Sequence, residues 1–251
     1  MDLNNPDTRQ RILGMRLQDG AQLVASQIAD EFGVSLDTVR RDILALEASG
    51  MATRIRGGAV PIATPAKALH RRLSKKTTVA TALITAAIKI IGDAKTVLVD
   101  GGTTTLALIP QLPRVDGRLV ITPSPWVAIA CQEANIDVFL LGGTLSPRGG
   151  ITTGNDTILQ AERIAADIAV LGACGIDPDW GLSADDYAEA QMKQAMHAAA
   201  AQTIIVTEGK KIGKRARHQT LPLQDIAVII TDAPKDQTAA LSEAGAAVVT
   251  V

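Results

Sequence analysis

Aromatic side chains are scarce in this sequence: two Phe, two Trp and one Tyr make up 2% of its 251 residues. Rings therefore cannot fill a core, and Ala, Val, Ile and Leu must do so; a hydrophobic content of 47% supplies enough of them. Cysteine is nearly missing too. Cys131 and Cys174 have no metal-ligating or redox spacing and read as small buried residues of a reducing compartment. The three histidines are scattered, with His70 in a basic stretch, His197 in an Ala-rich helix and His218 beside a basic loop, so neither a metal nor a cofactor is expected. No apolar run reaches the roughly 18 residues a membrane span needs. No signal peptide is visible at the start of the chain either, and a cytoplasmic protein without a membrane partner is expected. A charged fraction of 20% argues against disorder.

Charge is unevenly placed. Residues 1–76 hold 12 Lys/Arg against 8 Asp/Glu, a net of +4, whereas residues 77–251 hold 13 against 18, a net of -5. A basic amino-terminal part on an acidic body suits a polyanion that meets the first part only.

Three short helices are expected in that first part, over 8–20, 23–35 and 35–50. Gly20, Gly33 and Gly50 end them and Ser35 is the expected N-cap of the third. In the third, Leu36, Val39, Ile43 and Leu46 form an apolar stripe. At about 100° per residue, Asp37, Thr38, Arg41 and Ala45 fall on the opposite face with Arg40 at its flank. Two short helices about a Gly-containing turn, the second presenting Thr and Arg, form a helix-turn-helix arrangement. In "MATRIRGGAVP" (51–61), Arg54 and Arg56 alternate with Thr53 and Ile55 before a Gly-Gly turn, which reads as a wing.

Residues 61–76 carry Pro61, Pro65 and a basic run, and read as a linker. An amphipathic helix over 77–93 follows, and then apolar strands at 96–99, 118–122, 137–141, 167–172, 203–207 and 226–231 alternate with helix-like stretches. That alternation predicts an α/β domain with a mostly parallel sheet covered on both faces. Ligands of such sheets bind beyond the carboxyl ends of strands. The loops 100–105, 122–124, 142–154, 172–189 and 207–214 are therefore the candidates.

Among them, "DGGTTT" (100–105) follows a strand and opens a helix-like stretch. Gly101 and Gly102 allow a sharp turn and a close ligand approach, and Thr103, Thr104 and Thr105 place hydroxyls and N–H groups where an anion would sit. The same pattern also serves as a plain turn. A second glycine loop carries Gly142, Gly143 and Arg148, and 207–217 adds Lys210, Lys211, Lys214, Arg215 and Arg217 to an otherwise acidic domain. For proton-transfer chemistry the candidates are Asp100, Asp177, Asp185, Asp186 and Glu189, with His197 downstream, although the carboxylates could equally hydrogen-bond sugar hydroxyls in a sensor.

"RQRILGMRLQDG", "VASQIADEFGVSLDTVRRDILALEASG" and "RIRGGAV", followed in order by "VDGGTTTLALIPQL", "LLGGTLSPRGGITTG", "AVLGACGIDPDWGLS", "KKIG" and "IITDA", resemble the DeoR family of bacterial transcriptional repressors over almost the whole chain. The chain departs from the family's common pattern at Arg56, Pro123, Glu208 and Ile212. The resemblance implies a winged helix-turn-helix domain over 1–60, a linker over 61–76, and an effector-sensing α/β domain over 77–251 similar to the phosphosugar-isomerase and CoA-transferase type of fold. It further implies a homo-oligomer, dimer or tetramer, on double-stranded operator DNA. Ser35, Thr38 and Arg41 would face base edges or adjacent phosphates, and Arg40, Arg54 and Arg56 the backbone. The implied effector is a phosphorylated sugar or polyol, with a lean towards glycerol 3-phosphate, held by Asp100, Gly101 to Thr105, Gly142, Gly143, Arg148, Asp177, Glu189 and Lys211. No catalytic residue is implied; the alternative is a sugar-phosphate isomerase-like enzyme with a fused DNA-binding module.

Overall fold

The computed structural model describes residues 3–18, 21–62, 68–74 and 79–251. Gly20, expected to end the first helix, and residues 63–67 and 75–78 of the expected linker lie outside the described residues.

The amino-terminal unit runs α1 (Pro6–Gln18), β1 (Leu23–Val24), α2 (Ala25–Phe32), α3 (Leu36–Ala48), β2 (Ala52–Ile55) and β3 (Gly58–Pro61). α2 starts two residues later than the sequence suggests, because Leu23 and Val24 pair antiparallel with Ala59 and Gly58 of the wing. Gly58 cannot be another residue there: a Cβ would lie 1.7 Å from the Leu23 carbonyl oxygen. Gly33, at φ +64°, ends α2, and the Ser35 hydroxyl caps α3 by accepting the Thr38 N–H at 3.1 Å. Leu13, Leu17, Ile28, Phe32, Val39, Ile43 and Leu46 form the core. Leu36 does not join the expected stripe; it sits exposed in the first turn of α3, ahead of the packed turns. Its place among the buried residues of α3 is taken by Asp42.

α4 (Leu69–Leu73) lies inside the stretch read as a linker, and α5 (Thr81–Ile91) follows. The body then contains β4 (Thr96–Val99), α6 (Thr103–Leu106), β5 (Leu119–Thr122), α7 (Pro125–Glu133), β6 (Asp137–Leu140), β7 (Thr144–Leu145), β8 (Thr152–Thr153), α8 (Asn155–Ala161) and β9 (Ala166–Leu171). It continues with β10 (Gly175–Asp177), β11 (Gly181–Ala184), α9 (Tyr187–Ala198), β12 (Ala200–Thr207), β13 (His218–Leu221), β14 (Val228–Thr231), α10 (Lys235–Glu243) and β15 (Val248–Thr250). Seven strands form one parallel sheet in the order β15-β14-β12-β9-β4-β5-β6. Its strands alternate: Val97, Val99, Ile168, Val170, Ile204 and Val206 pack towards α5 and α7, while Leu98, Ala169, Leu171, Ile205 and Ile229 pack towards α8, α9 and α10. Residues 172–189, read as a loop, hold instead the β10–β11 hairpin, which joins β13 in a small antiparallel sheet.

The strand order fixes the ligand crevice. From β4 the chain moves outward to β5 and β6; it then returns to the other side of β4 and moves outward through β9, β12, β14 and β15. The reversal lies between β4 and β9, where the loops leaving neighbouring strand ends diverge and open a crevice.

Candidate functional site

A cavity of about 280 Å³ opens at that reversal. Its floor is Asp100, buried directly after β4, whose N–H donates to the Val170 carbonyl at 3.0 Å and so ties β4 to β9. Asp100 Oδ2 accepts the Gly172 N–H at 3.0 Å and is paired with Lys193 Nζ, which also donates to the Gly172 carbonyl at 3.0 Å. Both side chains are nearly inaccessible, and removing one partner of such a pair strands a buried charge. Asp100 Oδ1 is buried and has no hydrogen-bond partner.

Above Asp100 the turn Gly101–Gly102 leads into α6. Gly101 packs under Ile151, since a Cβ there would lie 2.2 Å from Ile151 Cγ2. Gly102 adopts φ +144°, and its missing side chain leaves the backbone open to the cavity, with only Thr105 Oγ1 near a would-be Cβ. The helix expected here is a single turn, Thr103–Leu106, followed by a 3₁₀ turn at Ile109–Gln111, so N–H groups and threonine hydroxyls contribute more than any long helix dipole. Thr103 and Thr104 line the cavity half-buried, whereas Thr105 is buried and donates its hydroxyl to the Gly102 carbonyl.

Positive groups converge from several segments. Arg148, Lys210 and Lys211 line the cavity, Lys210 being paired with Glu208 at 2.7 Å. The Lys214 ammonium is pulled below its ordinary value by burial first and then by Lys211 and Lys210, which marks this loop as one of crowded positive charge. Arg71 and Arg72 of α4 also reach the cavity, as does Lys193. Sequence reasoning missed these three. Arg71 and Arg72 fall in the basic run read as linker, and Lys193 was not singled out, though it stands one turn after Glu189 and beside Met192 and Met196.

Other expected residues lie elsewhere. Gly142 and Gly143 do not line the cavity: the Gly142 N–H donates to Gln160, its carbonyl accepts the Thr157 hydroxyl at 2.7 Å, and a Cβ on Gly143 would lie 1.9 Å from that hydroxyl. Their role is to seat α8 against the β6–β7 turn. Asp177 is fully buried, pairs with Arg215 at 2.7 Å and accepts the N–H groups of Asp179 and Trp180, so it shapes the β10–β11 hairpin. His197 is bound through Nδ1 to the Thr203 hydroxyl at 2.9 Å, away from the cavity lining. Asp185 and Asp186, by contrast, do line the cavity, Asp186 also capping α9, and among the described residues no group of three or more His, Cys, Asp or Glu is placed to hold a metal.

Glu189 faces the cavity and accepts the Ser146 hydroxyl at 3.1 Å. Burial holds its carboxyl above the ordinary 4.5, and Lys193 and the Ser146 hydrogen bond oppose that shift. Burial, and after it Asp185, likewise pushes the Cys174 thiol up, so this cavity-lining cysteine is a thiol rather than a nucleophile. The folded chain therefore keeps the Glu189 proton to higher pH than the unfolded chain does. The stability this supplies is complete below 4.5 and is lost as pH rises through the folded value. Glu189→Gln should gain in Tm relative to wild type as pH is raised from below 4.5 to neutrality. A Tm difference independent of pH would contradict this assignment.

In the amino-terminal unit, Arg40, Arg41, Arg54 and Arg56 are exposed and Thr38 half-buried. Ser35 is first of all the cap of α3, its hydroxyl 2.8 Å from that of Thr38. Arg41 pairs with Asp37 at 3.0 Å and Arg54 with Glu47 at 3.7 Å. Such exposed pairs are worth at most about 1 kcal/mol and yield readily to a phosphate.

Two family models match the chain. The DeoR-like helix-turn-helix domain matches residues 9–64, and the DeoR C terminal sensor domain matches residues 72–233. The HTH-type transcriptional regulator GlpR of Haloferax volcanii is 30% identical, over 92% of this chain and 91% of its own. The glycerol-3-phosphate regulon repressor of Escherichia coli is 27% identical over 83% of both chains, and the HTH-type transcriptional repressor GlcR of Bacillus subtilis 26% identical over 86% of this chain and 84% of its own. Among solved structures, a D-ribose-5-phosphate isomerase in complex with phospho-erythronic acid superposes with TM-score 0.39 and 20% identity over 51% of each chain, a likeness too partial to bear on chemistry.

Proposed function

Because the chain belongs to the DeoR family of transcriptional regulators, we propose that it represses a sugar or polyol catabolic operon and leaves its operator when a phosphorylated small molecule fills the cavity at the ends of β4 and β9. One observation carries this reading: the open Gly102–Thr104 turn shares a single cavity with Arg148, Lys210 and Lys211, while Asp100 and Glu189 sit beside it. Cations and N–H groups suit a phosphate, and carboxylates suit hydroxyls. Glycerol 3-phosphate or a sugar phosphate has both parts.

The catalytic alternative needs a carboxylate in the same cavity that is free to carry a proton. Asp100 is held by Lys193 and Gly172, Glu208 pairs with Lys210, Asp186 caps α9 and the Cys174 thiol is pushed up, which leaves Glu189 and Asp185 as the cavity carboxylates that proton transfer would have to use. A panel of phosphorylated sugars and polyols should raise the melting temperature of the full chain and yield no product. Turnover by wild type that is lost in Glu189→Gln would establish the enzyme instead.

Residues 1–60 serve as the DNA-binding domain and 77–251 as the sensor, acting in the cytoplasm as a homo-oligomer whose two-fold axis matches paired half-sites. Exposed Trp126 and Ile129 of α7, with Phe139 and Leu140 of the edge strand β6, offer an apolar surface for a second copy. Arg41→Ala should cost roughly 1–3 kcal/mol in operator binding and relax specificity at one position. Arg54→Ala should weaken all sequences alike and flatten the salt dependence. Fluorescence anisotropy on operator and on scrambled duplex separates the two patterns, and equal loss on both duplexes in Arg41→Ala would rule out base reading there.

A further inference from the structure

The described part of the connector, residues 68–74, is built into the cavity wall. Leu69 is buried, and it lies over Gly150, which holds φ +67°; a Cβ on Gly150 would come within 2.3 Å of the Leu69 side chain. The Leu69 N–H donates to the Arg148 carbonyl at 3.0 Å, and Arg72 reaches the same carbonyl. α4 is thereby seated on the loop that carries Arg148 and Gly149, and its Arg71 and Arg72 line the same cavity as the Gly102–Thr104 turn. A second strut runs close by. Ile62, just past β3 of the wing, bridges Arg215, in the loop that places Lys210 and Lys211 at the cavity. Among the described residues, these two links thus arrive at segments that line the cavity.

We propose that α4 is part of the anion site: Arg71 and Arg72 close on the phosphate beside Gly102–Thr104, and through this contact occupancy of the cavity is passed along the connector to the wing. This rests on the reading of the cavity as a phosphate site and adds to it the element that couples the site to DNA. The chemistry is that of guanidinium on a phosphate dianion, whose charge-assisted bonds are strong and directional. A ligand shifts the DNA-binding unit only if it contacts the two states differently, and a contact on the connector is the direct way to do so.

The test uses the full chain with inorganic phosphate and with glycerol 3-phosphate, read by calorimetry and by amide hydrogen exchange. Arg71→Ala/Arg72→Ala should weaken both ligands at least tenfold, while Gly102→Asp removes binding. With the cavity saturated, wild type should show altered exchange at 52–61 and 68–74, whereas the double variant should show changes near residues 100–105 and none at 52–61. Wild-type affinity in the double variant, with Gly102→Asp still inactive, would overturn the role of α4 and leave the cavity assignment standing. Changes at 52–61 as large in the double variant as in wild type would likewise exclude the connector as the link. If neither ligand binds wild type, the phosphate reading of the cavity falls, and this inference with it.

Discussion

Asp42→Ala is expected to remove about 3–5 kcal/mol from the amino-terminal unit, the usual cost of stripping one partner from a buried ion pair. Asp42 and Arg9 are almost inaccessible; Arg9 Nε donates to Asp42 Oδ2 at 2.6 Å and Nη2 to Oδ1 at 3.3 Å. Gln10 adds a third hydrogen bond to Asp42, and Arg9 also donates to the carbonyls of Leu3 and Asn4. The pair is the polar bolt between α1 and the recognition helix α3. Without the carboxylate, the Arg9 guanidinium stays buried and half-satisfied, α3 loses its seat, and operator binding falls although no residue facing DNA has changed. Calorimetry of the full chain should show the amino-terminal unit melting at a much lower temperature while the sensor transition stays. Arg9→Met in the Asp42→Ala background removes the stranded charge and should recover much of the loss. A penalty below 1 kcal/mol for Asp42→Ala would show that the pair adds nothing net.

Gly102→Asp is expected to abolish the response to effector while leaving operator binding at its ligand-free strength, which in a cell means permanent repression. The added carboxylate would enter the cavity from the turn where the phosphate belongs, beside Asp100 and Glu189, and like charges at that range repel strongly in a partly dry site. Backbone strain is a separate cost, because φ +144° suits glycine. Gly102→Ala carries that strain, about 1–3 kcal/mol, without the charge. Thr103→Val with Thr104→Val removes two hydroxyls at nearly constant volume and should weaken the ligand without touching the turn. The comparison is decisive when read together: loss in Asp with retention in Ala assigns the effect to charge, whereas equal loss in both would assign it to the backbone. Normal induction in Gly102→Asp would reduce "DGGTTT" to a turn.

Much of this architecture was legible in the residues, for local reasons. β-Branched runs announced β4, β5, β9, β12 and β14 within a few residues of their ends, and Ser35 and Gly33 marked the borders of the helix-turn-helix because capping is a local interaction. Asp100 and Gly102 could be singled out because a polar turn after a buried strand is itself a pattern. What escaped depends on pairing between distant segments. The crevice exists because β4 pairs with β9, about seventy residues away, and no periodicity in either strand records its neighbour. α4 is five residues long and is held by Leu69 on Gly150, so its sequence alone looks like a basic tether. Gly142 and Gly143 misled for the converse reason: a glycine pair demanded by Thr157 and Gln160 reads the same as one demanded by a ligand. Asp42 and Lys193 look like surface charges on helices until Arg9 and Asp100 are brought opposite them.

On the function proposed above, one small molecule in the β4–β9 cavity sets the affinity of α3 and the wing for DNA. Operator affinity of the full chain, measured by anisotropy with and without the phosphorylated compound that most raises its melting temperature, tests this directly. Operator binding should weaken by roughly 5–150-fold, the range of ordinary allosteric coupling, with no change in Gly102→Asp and no product formed. Operator affinity unaltered by a compound that saturates the cavity, or conversion of that compound by the wild-type chain, would contradict that function.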